Sequence, residues 1–86
     1  MYNPKEKAKQ IIEDVSDIIN ATSLIIDESL LKKAIFNHSL LILTELRQQA
    51  EVSYDYDKEF LIPFYNTVEK EIENLIYNKN EKYISN

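Results

Sequence analysis

The chain has 86 residues, a formal net charge of −5 and neither cysteine nor glycine. This length suits one small domain with a marginal hydrophobic core, and the lack of cysteine excludes disulfides and cysteine-based zinc sites. The lack of glycine excludes the phosphate-binding and nucleophile loops that need a residue without a side chain. The negative charge argues against a protein that binds duplex DNA directly.

The first predicted helix covers residues 4–21. Asn3 is a good N-cap, Pro4 suits the first helical position, and Glu6 lies three residues after the cap. Apolar residues then recur at helical spacing and form one stripe: Ala8, Ile11, Ile12, Val15, Ile18 and Ile19. A break follows, and residues 24–26 are too apolar for a free loop, so we expect them to pack into the core.

The second predicted helix covers residues 28–50, with Asp27 as its N-cap and Ser29 as the alternative. Its apolar arc is so wide that it must be covered on more than one side, which predicts the central helix of a bundle. The predicted inward face consists of Leu31, Ala34, Ile35, His38, Leu41, Ile42, Glu45 and Leu46. On that face we expect His38, the only histidine, to be a satisfied core residue rather than a general base.

The third predicted helix covers residues 58–77, with Asp55 or Asp57 as its cap. Pro63 would lie within its first two turns, which predicts a kink there. A continuous stripe crosses the proline: Phe60, Leu61, Phe64, Tyr65, Val68, Ile72, Leu75 and Ile76. The polar tail 78–86 is expected to fray, unless the helix continues and Tyr83 docks.

These patterns predict an all-α protein, a small three-helix bundle that forms one domain over residues 1–86. The alternative is a helical hairpin that dimerises to complete its core, because a core this small is barely sufficient. The sequence shows neither a signal peptide nor an apolar run long enough for a membrane span, so we expect a cytoplasmic protein.

Tyrosines and acidic residues are concentrated between the second and third predicted helices. Tyr54 and Tyr56 lie off any stripe, in a predicted loop beside Asp55 and Asp57. Tyrosines are common at interface hot spots, and aspartates suit a basic partner, so one hypothesis is a protein-binding surface. The other is that the tyrosines cover the bundle. The predicted partner-binding residues are Tyr54, Asp55, Tyr56, Asp57, Glu59, Glu69 and Glu73.

Catalysis is not predicted for these carboxylates. General acid–base work needs a carboxyl with a raised pKa in an enclosed pocket, and a helix face in contact with water does not supply one. Glu69 and Glu73 lie one helical turn apart, which also resembles a weak imitation of nucleic-acid phosphates, although Lys70 lowers the local charge. We therefore predict a protein that is not an enzyme, with no catalytic residue, cofactor or metal site.

Three segments carry a resemblance: "NPKEKAKQII" at residues 3–12, "IFNHSLLILTEL" at 35–46 and "FYNTVEKEIENL" at 64–75. They resemble a group of short phage and prophage proteins that open with Asn-Pro-Lys-Glu-Lys-Ala and close on a Val-Lys-x-Glu-Ile-Glu-x-Leu helix. In that group the central helix often ends in Val-Asp-Glu-Ile-Leu. Here residues 43–46, Leu-Thr-Glu-Leu, replace the acidic pair, and the first connection is longer. The resemblance implies no catalytic residues.

A small, acidic, helical, phage-type protein without catalytic residues resembles an antagonist of a host enzyme. Anti-CRISPR proteins are the class that this resemblance suggests, in the sharpest version inhibitors of an RNA-guided nuclease of the RNA-targeting type VI systems. The expected partner is such an effector or its ribonucleoprotein. The alternatives are a bacteriocin-immunity-like helical protein and a dimeric regulatory module.

Overall fold

A computed structural model describes residues 3–22, 24, 27–52 and 55–77, with only the backbone described at residues 55–58. Its three helices are α1 (Pro4–Thr22), α2 (Glu28–Glu51) and α3 (Asp55–Tyr77). Each helix packs against both others, and the described residues contain no strand. The prediction of an all-α three-helix bundle is therefore confirmed.

Two side-chain caps begin the first two helices where the sequence predicts. The Asn3 Oδ1 atom accepts hydrogen bonds from the backbone N–H groups of Lys5 and Glu6, at 3.0 and 3.2 Å. Asp27 Oδ1 does the same for two N–H groups of α2, at 2.8 and 3.1 Å. Because the first N–H groups of a helix have no partner within it, these bonds stabilise each start.

The core is made of aliphatic side chains from all three helices. Its buried members are Ala8, Ile11, Val15 and Ile19 from α1, Leu43 from α2, and Val68, Ile72 and Ile76 from α3. The four residues from α1 belong to the stripe predicted for the first helix, and those from α3 belong to the stripe predicted across Pro63. Burial of these side chains supplies the main free energy of folding.

Helices α2 and α3 run antiparallel. At one end the ring of Phe36 meets the ring of Tyr77 edge-to-face, with their centroids 5.5 Å apart. Towards the other end Arg47 Nη1 lies 2.7 Å from Glu69 Oε1. From the first contact to the second the residue number increases in α2 and decreases in α3, so the two helices form an antiparallel hairpin. Helix α1 packs against both helices of this hairpin.

The predicted inward face of α2 is partly wrong. Five of its eight residues pack against the core, but His38, Leu41 and Glu45 are exposed, so the buried face is centred about one residue position, or 100°, further round the helix. The structure buries Ser39 rather than His38 and Leu43 rather than Ile42, and it also buries Ala50. Apolar residues cover so much of the circumference of α2 that hydrophobicity alone does not select a face. Ser39 and Ala50 have small side chains, which suit a buried helix contact because interaxial distance depends on side-chain size there.

Two expectations about the connections are also corrected. Leu24 was expected to pack into the core, but it is 99% exposed, and residues 25 and 26 lie outside the described part of the chain. Helix α3 begins at Asp55, three residues earlier than predicted, so Asp55 and Asp57 lie within the helix instead of capping it. Carboxylates in the first turn of a helix are stabilised by its dipole, which explains the earlier start.

Helix α3 continues through Pro63, which lies in its third turn. Proline has no N–H, so the hydrogen bond that residue 63 would donate to the carbonyl of Glu59 is missing. The Thr67 hydroxyl donates to the Pro63 carbonyl at 3.1 Å. The kink predicted at this position stays a prediction.

Candidate protein-binding surfaces

The predicted loop of tyrosines and aspartates is largely the first turn of α3. Tyr54 lies outside the described residues, whereas Asp55, Tyr56 and Asp57 are helical. The expectation of a loop is therefore wrong for these three. Helical residues two apart lie about 200° apart around the axis, so Asp57 and Glu59 belong to different faces, while Asp55 is one turn from Glu59 on the same face.

The predicted acidic surface on α3 is partly neutralised within the protein. Glu69 accepts a hydrogen bond from the Arg47 guanidinium at 2.7 Å, and the same nitrogen donates to Asn66 Oδ1 at 3.3 Å. Glu73, one turn beyond Glu69, is half-buried. Of the seven predicted partner-binding residues, Glu59 is the one whose side chain is described as exposed.

Glu59 belongs to a small surface that we call the aromatic–acidic patch, formed by Glu59, Phe60, Pro63 and Phe64. These residues line a shallow cleft of about 360 Å³, together with Pro4 and Thr67. The Phe60 ring is 50% exposed and stacks on the Phe64 ring, with centroids 6.3 Å apart and planes 9° apart. Phe60 belongs to the apolar stripe predicted for the third helix, and the core position that this stripe implies for it is wrong.

A second surface feature is a groove of about 330 Å³ between α1 and α2. Thr22, His38 and Glu45 add polar groups to walls that are otherwise aliphatic. The five aliphatic side chains are Val15, Ile18, Ile19, Leu41 and Ile42. His38 is exposed here, so the prediction of a core histidine is wrong. The aliphatic walls of this groove suit the burial of an apolar group. A catalytic site instead directs polar groups at the charge that develops on the substrate in the transition state.

A third cleft, also about 330 Å³, is bounded by all three helices. Its floor is aliphatic, with Ile12, Ile35, Leu75 and Ile76, and its rim carries Lys9, Glu13 and Lys32. Lys32 Nζ lies 3.8 Å from the Glu28 carboxylate, so this rim is of mixed charge. Such a mixed rim attracts neither anions nor cations strongly.

The described residues bring together no group of three or more histidine, aspartate or glutamate side chains that could hold a metal ion. None of the three helices, over the same residues, is long and apolar enough to cross a membrane. Protein-family models, curated proteins and solved structures give no match to this chain.

Proposed function

We propose that this protein acts by binding another protein and performs no chemistry of its own. The observation that carries the proposal is the aromatic–acidic patch, where a half-exposed Phe60 ring lies beside the exposed Glu59 carboxylate. Aromatic side chains supply much of the binding energy at interfaces, and acidic groups beside them favour the approach of a basic partner.

The patch is also ordered before binding. The Phe60 ring stacks on Phe64, which in turn meets Tyr65 edge-to-face with centroids 5.4 Å apart. Tyr65 packs against the core, so the row of rings is anchored there. A side chain that is already held in place loses less rotamer entropy when a partner covers it, and this favours affinity.

The partner that we propose is a host defence nuclease in the cytoplasm of the host cell, an RNA-guided, RNA-cleaving effector or its ribonucleoprotein. The resemblance of three segments to phage and prophage proteins supports this class, as does the net charge of −5. Such effectors hold RNA in basic channels, to which an acidic protein is electrostatically complementary. Because Glu69 is paired with Arg47, the proposed contact is centred on the aromatic–acidic patch.

Cleavage assays with a purified RNA-guided RNase, its guide and a labelled target RNA test this proposal. The wild-type protein should reduce cleavage in a concentration-dependent way, and Phe60→Ala should weaken that inhibition. Loss of a central aromatic contact costs about 2 kcal/mol, or roughly 30-fold in affinity. Glu59→Lys should weaken it further at low salt, since it reverses the charge that meets the basic partner.

The matched control is Leu24→Ala, which removes an exposed apolar side chain outside the patch and should inhibit as the wild type does. Circular dichroism of each variant checks that the helices are retained. If no RNA-guided RNase is inhibited, the partner class is wrong. If one is inhibited and Phe60→Ala inhibits equally well, the partner stands and the patch is not its binding site.

A further inference from the structure

Helix α2 carries a line of exposed apolar side chains on the side opposite to its buried face. Leu30, Leu41 and Val52 are 57%, 61% and 86% exposed. Each is eleven residues from the next. Eleven residues rotate the helix by three full turns plus about 20°, so the three side chains lie on the same side of α2, over a length of about 33 Å. Val52 is the C-cap residue that directly follows the last turn.

This row is distinct from the surface that builds the bundle. The buried residues of α2 are Ser39, Leu43 and Ala50, and they lie roughly 180° around the helix from Leu41. Single exposed apolar residues are ordinary on protein surfaces. These three lie on one side of the helix but about 16 Å apart, with exposed polar residues such as Asn37 and Gln48 between them, so they offer three points of apolar contact rather than a continuous coiled-coil seam. The outer face of α2 is therefore a candidate for a small interface.

The row is symmetric about Leu41, because Leu30 and Val52 each lie eleven residues from it. A two-fold axis through Leu41 would place α2 of a second copy antiparallel to α2 of the first. Leu30 of each copy then meets Val52 of the other, and the two Leu41 side chains meet at the axis. Such self-complementarity is the property of a two-fold symmetric interface.

The polar neighbours of Leu41 favour the same orientation. His38 and Glu45 precede and follow it on the exposed side of α2. In the antiparallel arrangement His38 of each copy faces Glu45 of the other, and an imidazole N–H can donate to a carboxylate. In a parallel arrangement Glu45 would face Glu45, and like charges repel.

The available area suits a reversible contact. The 24 residues of α2 give a strip about 36 Å long and about 12 Å wide, which corresponds to roughly 900 Å² over both copies. Ile18, 61% exposed on the groove wall beside Leu41, widens the strip. Specific contacts of less than about 1,200 Å² are typically weak and transient.

We propose that a second copy of this chain docks on the outer face of α2, antiparallel and centred on Leu41, to form a reversible homodimer. The site lies on a different helix from the aromatic–acidic patch, so the two proposals are independent. The occupant is a second copy because the row of apolar residues and the His38–Glu45 pairs complement themselves.

Sedimentation velocity over micromolar to millimolar concentrations tests the dimer. The wild type should shift from monomer to dimer as concentration rises, and Leu41→Lys should raise the dissociation constant at least tenfold, because two ammonium groups would meet at the axis. Leu24→Lys makes the same change at a more exposed leucine outside the row, and it should dimerise as the wild type does. A wild type that stays monomeric throughout, or a Leu41→Lys variant that dimerises equally well, would overturn the proposal.

Cysteine cross-linking tests the orientation, in a chain with no native cysteine. Leu30→Cys mixed with Val52→Cys under mild oxidation should form the mixed disulfide in preference to either symmetric one. Leu24→Cys paired with Val52→Cys is the control for random collision. Preferential Leu30→Cys homodimers would show a parallel contact, and yields no higher than the control would show no contact; either result overturns the antiparallel dimer.

Discussion

At the scale of single residues, Ser39 is the least expected member of the interior. Its side chain is fully buried, and its hydroxyl has no hydrogen-bond partner among the described residues. A buried hydroxyl without a partner costs about 1–3 kcal/mol relative to a solvated one. Ser39 thus destabilises the fold through its chemistry, while its small size suits the close contact of α2 with its neighbours.

Ser39→Ala should therefore stabilise the protein. It removes the buried hydroxyl, adds almost no volume change and improves helix propensity. We expect the free energy of unfolding to rise by about 1 kcal/mol, which corresponds to roughly 4–8 °C in the melting temperature of a domain of this size. Ser29→Ala, at an exposed position in the same helix, should change it little, and a lower melting temperature for Ser39→Ala would contradict the account.

At the scale of helices, the two prolines have opposite effects on helix stability. Pro4 is the first residue of α1, where a missing N–H has no cost because that group has no partner within the helix. Pro63 lies in the third turn of α3, where it removes an internal hydrogen bond. The same residue type therefore favours one helix and weakens the other.

Pro63→Ala should stabilise the protein by about 1–2 kcal/mol. The restored hydrogen bond and the better propensity of alanine exceed the entropy that proline removes from the unfolded chain. Urea denaturation would show this as a higher midpoint at an unchanged slope. Pro4→Ala is the matched control and should give no gain; if Pro63→Ala lowers the midpoint, the helix has adapted to its proline.

Some features of the helices follow from local sequence and others do not. Asn3 and Asp27 were predictable as caps because the bonds that their side chains make reach only two or three residues along the chain. The start of α3 was not, because Asp55 and Asp57 suit both a cap and a first turn. The inward face of α2 was predictable only in part, because its centre depends on which neighbours pack against Ser39 and Leu43.

The candidate site was predictable only in part. The sequence concentrates acidic and aromatic residues around the start of α3, and Glu59 is exposed as expected. Phe60 fits the apolar stripe by spacing, but its ring lies in an open cleft beside Pro4, the first residue of α1, and is half-exposed. The pairing of Glu69 with Arg47 joins residues 22 positions apart, which helical spacing within one segment does not reveal.

At the scale of the whole molecule, stability rests on one thin core shared by three helices. Leu43, Val68 and Ile72 are fully buried, and Leu43 is the one member of the buried core cluster from α2. Removing a helix from this arrangement would expose the apolar faces of both others, since each packs against both. A single domain of this size is expected to unfold cooperatively.

Leu43→Ala should destabilise the entire protein by about 2–5 kcal/mol, because it leaves a cavity at the contact shared by the helices. That is a large part of the total free energy of unfolding expected for a chain of this length. Helical circular dichroism and tyrosine fluorescence should lose their signals in one coincident transition at lower temperature. Leu41→Ala, on the exposed side of the same helix, should change the transition little; separate transitions for the two probes would contradict a single core.

The position of Pro63 affects how much of the protein changes when a partner binds the aromatic–acidic patch. Residues 55–62 are the part of α3 that precedes the missing hydrogen bond, and the aromatic–acidic patch begins there, whereas Val68, Ile72 and Ile76 anchor the part that follows. Unwinding or tilting of the leading two turns therefore disturbs little of the interior. A partner can therefore bind the stacked rings of the patch without rearranging the core, because the α3 residues of the buried core all lie after Pro63.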